Sequence, residues 1–174
     1  MSTILRKLGG LEQYFHDQIE LNGTVSGSSF LFTSSIDLFA HKDVVTKAVH
    51  FWKQTQPFLR SKVTVQDETN KYFAYASDEI LQAENNVSFV YFKSEQNGET
   101  KLPKDYWKLL IEREYTLPIN WQDGLMWRLM FIKSDVAHSN GPFEYCLLIT
   151  ATHAIFDGHS AFATVAKLFF IIEG

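Results

Sequence analysis

The chain has 174 residues, 45 % of them hydrophobic and 21 % charged. That balance excludes a wholly disordered chain, and a domain of this size buries about 70 % of its extended surface without a disulfide or a structural metal. Sixteen Lys and Arg against 20 Asp and Glu leave a net charge of −4. The nearest thing to a basic cluster is Arg6-Lys7, which argues against nucleic acid as a partner.

The elements follow in chain order. Residues 8–18 read as a short helix behind a Gly-Gly turn, and 28–38 as a strand. In 41–55, Val45, Ala48, Val49 and Trp52 fall at i, i+3, i+4 and i+7, one face of a helix that Pro57 stops. Residues 59–65 alternate, with Leu59, Ser61, Val63 and Val65 on one side. The aromatic runs 71–76 and 87–92 predict two more strands. A polar loop is expected at 93–101, then a helix over 103–114 with Pro103 near its start. Strands at 126–132 and 143–151 are joined by a hairpin-like connection, and a last helix covers about 160–172. Mixed elements with a consecutive antiparallel pair predict an α/β fold: a two-layer sandwich with a mixed, largely antiparallel sheet and flanking helices.

Cys146 is the only cysteine, so an internal disulfide is excluded. Its apolar surroundings predict an inert core thiol. No apolar h-region opens the chain and no run approaches the ~20 apolar residues of a membrane span. A cytoplasmic setting is the expectation.

One stretch carries chemistry: Thr150-Ala-Thr152-His153-Ala-Ile-Phe-Asp157-Gly158-His159-Ser160. It follows an apolar strand and precedes an amphipathic helix. Three readings compete. His153 can simply end a core strand, with Asp157-Gly158 as a turn. His153, Asp157 and His159 can bind a metal, but Gly158 breaks the helix that would align them and zinc needs three or four ligands, so no metal is expected. His153 can act as a general base, because histidine is the side chain suited to proton transfer near neutral pH. Gly158 admits close ligand approach. Ser160 can cap the following helix or sit near an oxyanion at its positive end. No Gly-x-Ser-x-Gly elbow, Walker loop or dinucleotide fingerprint is present. A lone base suits direct transfer between two bound substrates.

The segment Thr152-His153-Ala-Ile-Phe-Asp157-Gly158-His159-Ser160 resembles the His-His-x-x-x-Asp-Gly-x-Ser motif of the chloramphenicol-acetyltransferase-like superfamily. That superfamily includes condensation domains of nonribosomal peptide synthetases, alcohol acetyltransferases and polyketide-associated acyltransferases. Thr152 stands in place of the first His. Leu8-Gly-Gly-Leu-Glu-Gln-Tyr-Phe15 resembles the opening of alcohol-acetyltransferase-like members. Gln56-Pro57-Phe58-Leu59-Arg60 is similar to the family's His-Pro/Glu-x-Leu-Arg element, and Asp123-Gly-Leu-Met-Trp-Arg128-Leu to its Pro-Leu-x-Arg-x-x-Leu strand. The similarities run in family order from residue 8 to residue 160.

The resemblance implies an acyltransferase that moves an acyl group from a thioester, on coenzyme A or a carrier protein, to an alcohol or amine. His153 would be the base. Asp157 would hold the loop through an ion pair with an arginine, Arg60 or Arg128, with Arg60 preferred. The thioester would be a co-substrate rather than a bound cofactor. Complete members are longer and have two similar subdomains, so residues 1–174 would form a single N-terminal subdomain with the C-terminal one absent. The apolar face Phe162, Val165, Ala166 and Phe169 would pack on the sheet, and Phe170, Ile171 and Ile172 would await a neighbour. That neighbour would be the second subdomain or a homo-oligomer partner. The alternative function is a non-catalytic binding or scaffold domain derived from such an enzyme.

Overall fold

The computed structural model describes residues 3–23, 25–67, 69–82, 86–92, 106–121, 124–134 and 142–173. The expected polar loop 93–101, Pro103, Asp123 and most of the connection before Phe143 lie outside them.

Among the described residues, twelve elements follow one another: β1 (Ile4–Lys7), α1 (Gly10–Asn22), β2 (Ser26–Ser34), α2 (Lys42–Thr55), β3 (Ser61–Asp67), β4 (Asn70–Tyr75), α3 (Asp78–Gln82), β5 (Val87–Phe92), α4 (Tyr106–Thr116), β6 (Trp127–Ser134), β7 (Phe143–Ala151) and α5 (Gly158–Glu173). A single 3-10 turn, Pro57–Arg60, separates α2 from β3. The α/β character and the mixed, mostly antiparallel pairing match expectation, but the strands divide into two sheets. β1-β4-β3 is wholly antiparallel, and β2-β7-β6-β5 is antiparallel except for the parallel pair β5–β6. Parallel neighbours require a crossover, and α4 lies on it.

The helices form for local reasons. Glu12 accepts a hydrogen bond from Gly9 N at 2.7 Å, satisfying a donor at the start of α1. Arg6 grips the same carboxylate through both terminal nitrogens, at 2.7 and 2.5 Å, and lies over Phe58 and Phe73. Gly23 ends α1 with φ of 64°, donating to Ile19 O, a left-handed cap that glycine takes without strain. In α2 the predicted face Val45, Ala48, Val49 and Trp52 is buried.

Two tryptophans join the layers. Trp127 on β6 donates to Leu59 O at 2.9 Å, and Trp52 on α2 donates to Thr164 O on α5 at 2.7 Å. Their rings meet edge to face at 5.4 Å. Each indole buries a large apolar surface while its N–H finds an acceptor. On the opposite face of the four-stranded sheet, Ile132, Cys146 and Leu148 pack against Trp107, Leu110 and Ile111 of α4. Burial raises the Cys146 thiol to about 11, so it stays protonated and inert at neutral pH.

The last helix departs from its predicted face. Ala161, Val165 and Leu168 are buried, whereas Ala166 and Phe162 are exposed. Val165 is thus buried as expected, while Ala161 and Leu168, and not Ala166, complete the seated row. Phe169 packs edge-on against Phe32 at 4.9 Å, and Phe162 against Phe30 at 5.0 Å. Phe170 stands 74 % exposed, while Ile171 and Ile172 touch the core. Among the described residues, no helix is long and apolar enough to cross a membrane.

Candidate functional site

The site is built where β7 ends. Cys146 through Ala151 are buried, and Thr152 is fully buried. Thr152 N donates to Met126 O at 3.0 Å, tying the strand end to the start of β6. Its own carbonyl accepts from Ile155 N at 3.1 Å and Phe156 N at 3.3 Å. These bonds close a tight turn whose residues Ala154, Ile155 and Phe156 point into the core. His153, at the crest of the turn, is exposed.

The helix that follows is capped reciprocally. Asp157 Oδ1 accepts from Ser160 N at 2.7 Å, and Asp157 N donates to Ser160 Oγ at 3.0 Å. Asp157 is therefore the capping residue and Ser160 completes the box from the first turn. The Ser160 N–H, then its hydroxyl, hold the Asp157 carboxyl below its ordinary value. Gly158 opens α5 beside them, with nothing within 4 Å of where a side chain would start.

The expected ion pair between Asp157 and an arginine does not form. Arg128 pairs instead with buried Glu114 at 3.1 Å and donates to the carbonyls of Glu114, Leu117 and Pro118. The Glu114 carbonyl lies in the last turn of α4 and the other two just beyond it, where the helix dipole favours a cation. Arg60 lies with its guanidinium 4.7 Å from the centre of the Tyr75 ring, and its Nε is buried without a hydrogen-bond partner. Asp157 needs neither arginine, because it stays in water and is satisfied by its own helix.

Two cavities meet at His153. One, of about 320 Å³, lies between the start of β2, the end of β7 and α5; Ser26, Ser28, Ile149, Ala151 and Ala161 line it. The other, of about 420 Å³, lies between α1, the turn before β3 and the His153 turn; Leu11, Glu12, Phe15, Gln56 and Phe58 line it. His153, Phe156 and Asp157 border both. Both volumes fall in the usual range for small-molecule sites. Phe15 stacks on the imidazole, with ring centroids 4.7 Å apart and planes inclined by 23°. The chain order alone did not single out Phe15, although it closes the Leu8–Phe15 segment whose resemblance was noted. Gln56 and Phe58 likewise sit in the second such segment and reach the site.

His159 is exposed, and among the described residues no group of three or more His, Cys, Asp or Glu is arranged to hold a metal.

No family model matches the chain, and no curated protein matches it. Solved structures do. The starter condensation domain of the rhizomide synthetase RzmA superposes with a TM-score of 0.69 at 11 % identity, over 96 % of this chain and 37 % of that one. The tallysomycin biosynthesis protein TlmII gives 0.69 at 14 % identity, over 98 % and 36 %. The first condensation domain of the calcium-dependent antibiotic synthetase, in complex with a substrate analogue, gives 0.69 at 12 %, over 97 % and 37 %. The chain thus spans little more than a third of the length of each. At these identities the likeness concerns fold alone: these residues adopt the fold of part of a condensation domain.

Proposed function

We propose that the chain is part of an acyltransferase that moves an acyl group from a thioester to an alcohol or amine. The observation that carries this reading is the meeting of two cavities at one exposed imidazole on a condensation-domain fold. Direct transfer needs two substrates held on either side of a base, and proximity alone supplies a large part of the rate.

His153 takes the proton from the acceptor hydroxyl or amine as that atom attacks the thioester carbonyl. The carbonyl π electrons move to oxygen and form a tetrahedral oxyanion. The first turn of α5, at Gly158 and His159, offers backbone N–H groups and the positive end of a helix dipole near that charge. Collapse re-forms the carbonyl and breaks the carbon–sulfur bond, and the thiolate leaves with the proton His153 held. The thioester is carried by coenzyme A or by a carrier protein. A cytoplasmic setting, where such thioesters are made, fits this chemistry.

An assay with acyl-coenzyme A donors and a panel of alcohols and amines tests the reading. His153→Ala is expected to lower turnover about 10²–10⁴-fold, with little change in fold because the ring is exposed. Equal turnover in both proteins removes His153 from the mechanism.

Exposed Phe162 and Phe170 favour a second element of the reading: the site is completed by a further subdomain or by another copy of the chain. A mass that rises with concentration supports a second copy. A monomer without thioester turnover supports a non-catalytic scaffold role.

A further inference from the structure

The His153 ring is held without using either nitrogen. Among the described residues, no hydrogen bond reaches Nδ1 or Nε2, and the one ring contact is the stack with Phe15. Phe15 borders the larger cavity and not the smaller one. It therefore covers the imidazole face on the α1 side. The nitrogen lone pair and the N–H both lie in the imidazole plane, so a face contact fixes that plane while leaving the reactive edge open to both cavities.

The stack has its own support. Phe15 sits one turn after Leu11 and Glu12, which border the same cavity. The helix N-terminus is pinned by the Glu12–Gly9 bond and the two Arg6–Glu12 bonds. Arg6 in turn lies 4.9 Å from the centre of the buried Phe73 ring. One turn of α1 is thus anchored to the three-stranded sheet while presenting an aromatic face to a residue at the end of the four-stranded one. An orienting carboxylate, the usual partner of a histidine base, is replaced here by an aromatic ring on a pinned helix.

We infer that Phe15 is the positioning residue for His153, fixing the imidazole plane by stacking so that one ring edge serves both cavities. The catalytic half of this inference rests on His153 being the base; the geometric half does not.

The two halves are tested separately. In proton NMR, the His153 ring protons of the wild-type chain should be shifted upfield by the Phe15 ring current, and they are assigned by their loss in His153→Gln. Phe15→Leu should return them downfield and Phe15→Tyr should keep them upfield. Unmoved His153 resonances in Phe15→Leu overturn the stack. In the acyl-transfer assay, Phe15→Leu should lower kcat about 10–100-fold with KM nearly unchanged, the scale of a base displaced by about an ångström. Phe15→Tyr should restore it. A change confined to KM, or equal loss in both variants, overturns the positioning role. If His153→Ala leaves turnover intact, the catalytic reading falls and the NMR result still decides the stack.

Discussion

The two sides of the His153 turn are held by different physics. On the strand side, Tyr145 to Ala151 run through the core with every residue buried. Their positions are fixed by neighbours distant in sequence: β2 on one side and β6 on the other. On the helix side, Asp157 to His159 stand in water and are fixed by hydrogen bonds spanning three residues. The strand side gives the imidazole a rigid base. The helix side gives a local, solvated start to α5 whose exposed groups are open to a ligand that displaces their water.

The largest blow falls on the strand side. Leu147 is fully buried, and Leu147→Ala should cost about 2–5 kcal/mol, read as a fall in the urea midpoint at constant m-value. A loss under about 1 kcal/mol would mean that β7 is less firmly packed than its burial implies.

Arg128→Met comes next. It leaves Glu114 buried without its partner. Breaking a fully buried pair costs about 3–5 kcal/mol. The Arg128 side chain is a quarter exposed, so about 2 kcal/mol is expected after allowing for solvent screening. Adding Glu114→Gln should recover part of it, because no charge is then stranded. No recovery in the double variant would assign the loss to the helix-end carbonyls instead.

The smallest effect belongs to the helix side and depends on pH. The Asp157 carboxyl titrates below its ordinary 3.8 in the folded chain. A depressed folded value means that its contribution is fully present above 3.8 and disappears as the pH falls through the lower folded value. The stability difference between wild type and Asp157→Asn should therefore shrink under strongly acid conditions and be constant near neutrality. A difference that grows on acidification would contradict the capping role.

Much of this was legible in the chain, for identifiable reasons. The α2 face Val45, Ala48, Val49 and Trp52 and the apolar run of β7 are governed by burial, and burial leaves a period in the sequence. β1 left none: Ile4–Lys7 is short, exposed on all four residues and defined only by pairing with β4. The division into two sheets depends on pairing, which no local pattern encodes. At the site, the Asp157-Gly158-His159-Ser160 turn was readable because it is local, but the capping role expected of Ser160 falls to Asp157, with Ser160 answering from the first turn. The partners of Arg60 and Arg128 were not, since Tyr75 and Glu114 are brought near only by the fold. The same holds for Phe15 and His153, which sit at opposite ends of the described chain and stack only once both sheets are in place.

The pairing of β2 with β7 also bears on how the chain is made. Ser26 faces Ala151 and Ser34 faces Phe143, so β2 leaves the ribosome long before β7, its one sheet neighbour among the described residues, exists. Phe30, Leu31 and Phe32 must wait for β7 to be made before this pairing can form. Non-local pairing of this kind slows folding, and an unpaired apolar strand invites association with other nascent chains. β2, whose first residues line the cavity beside His153, is thus also a segment open to misassociation until β7 emerges.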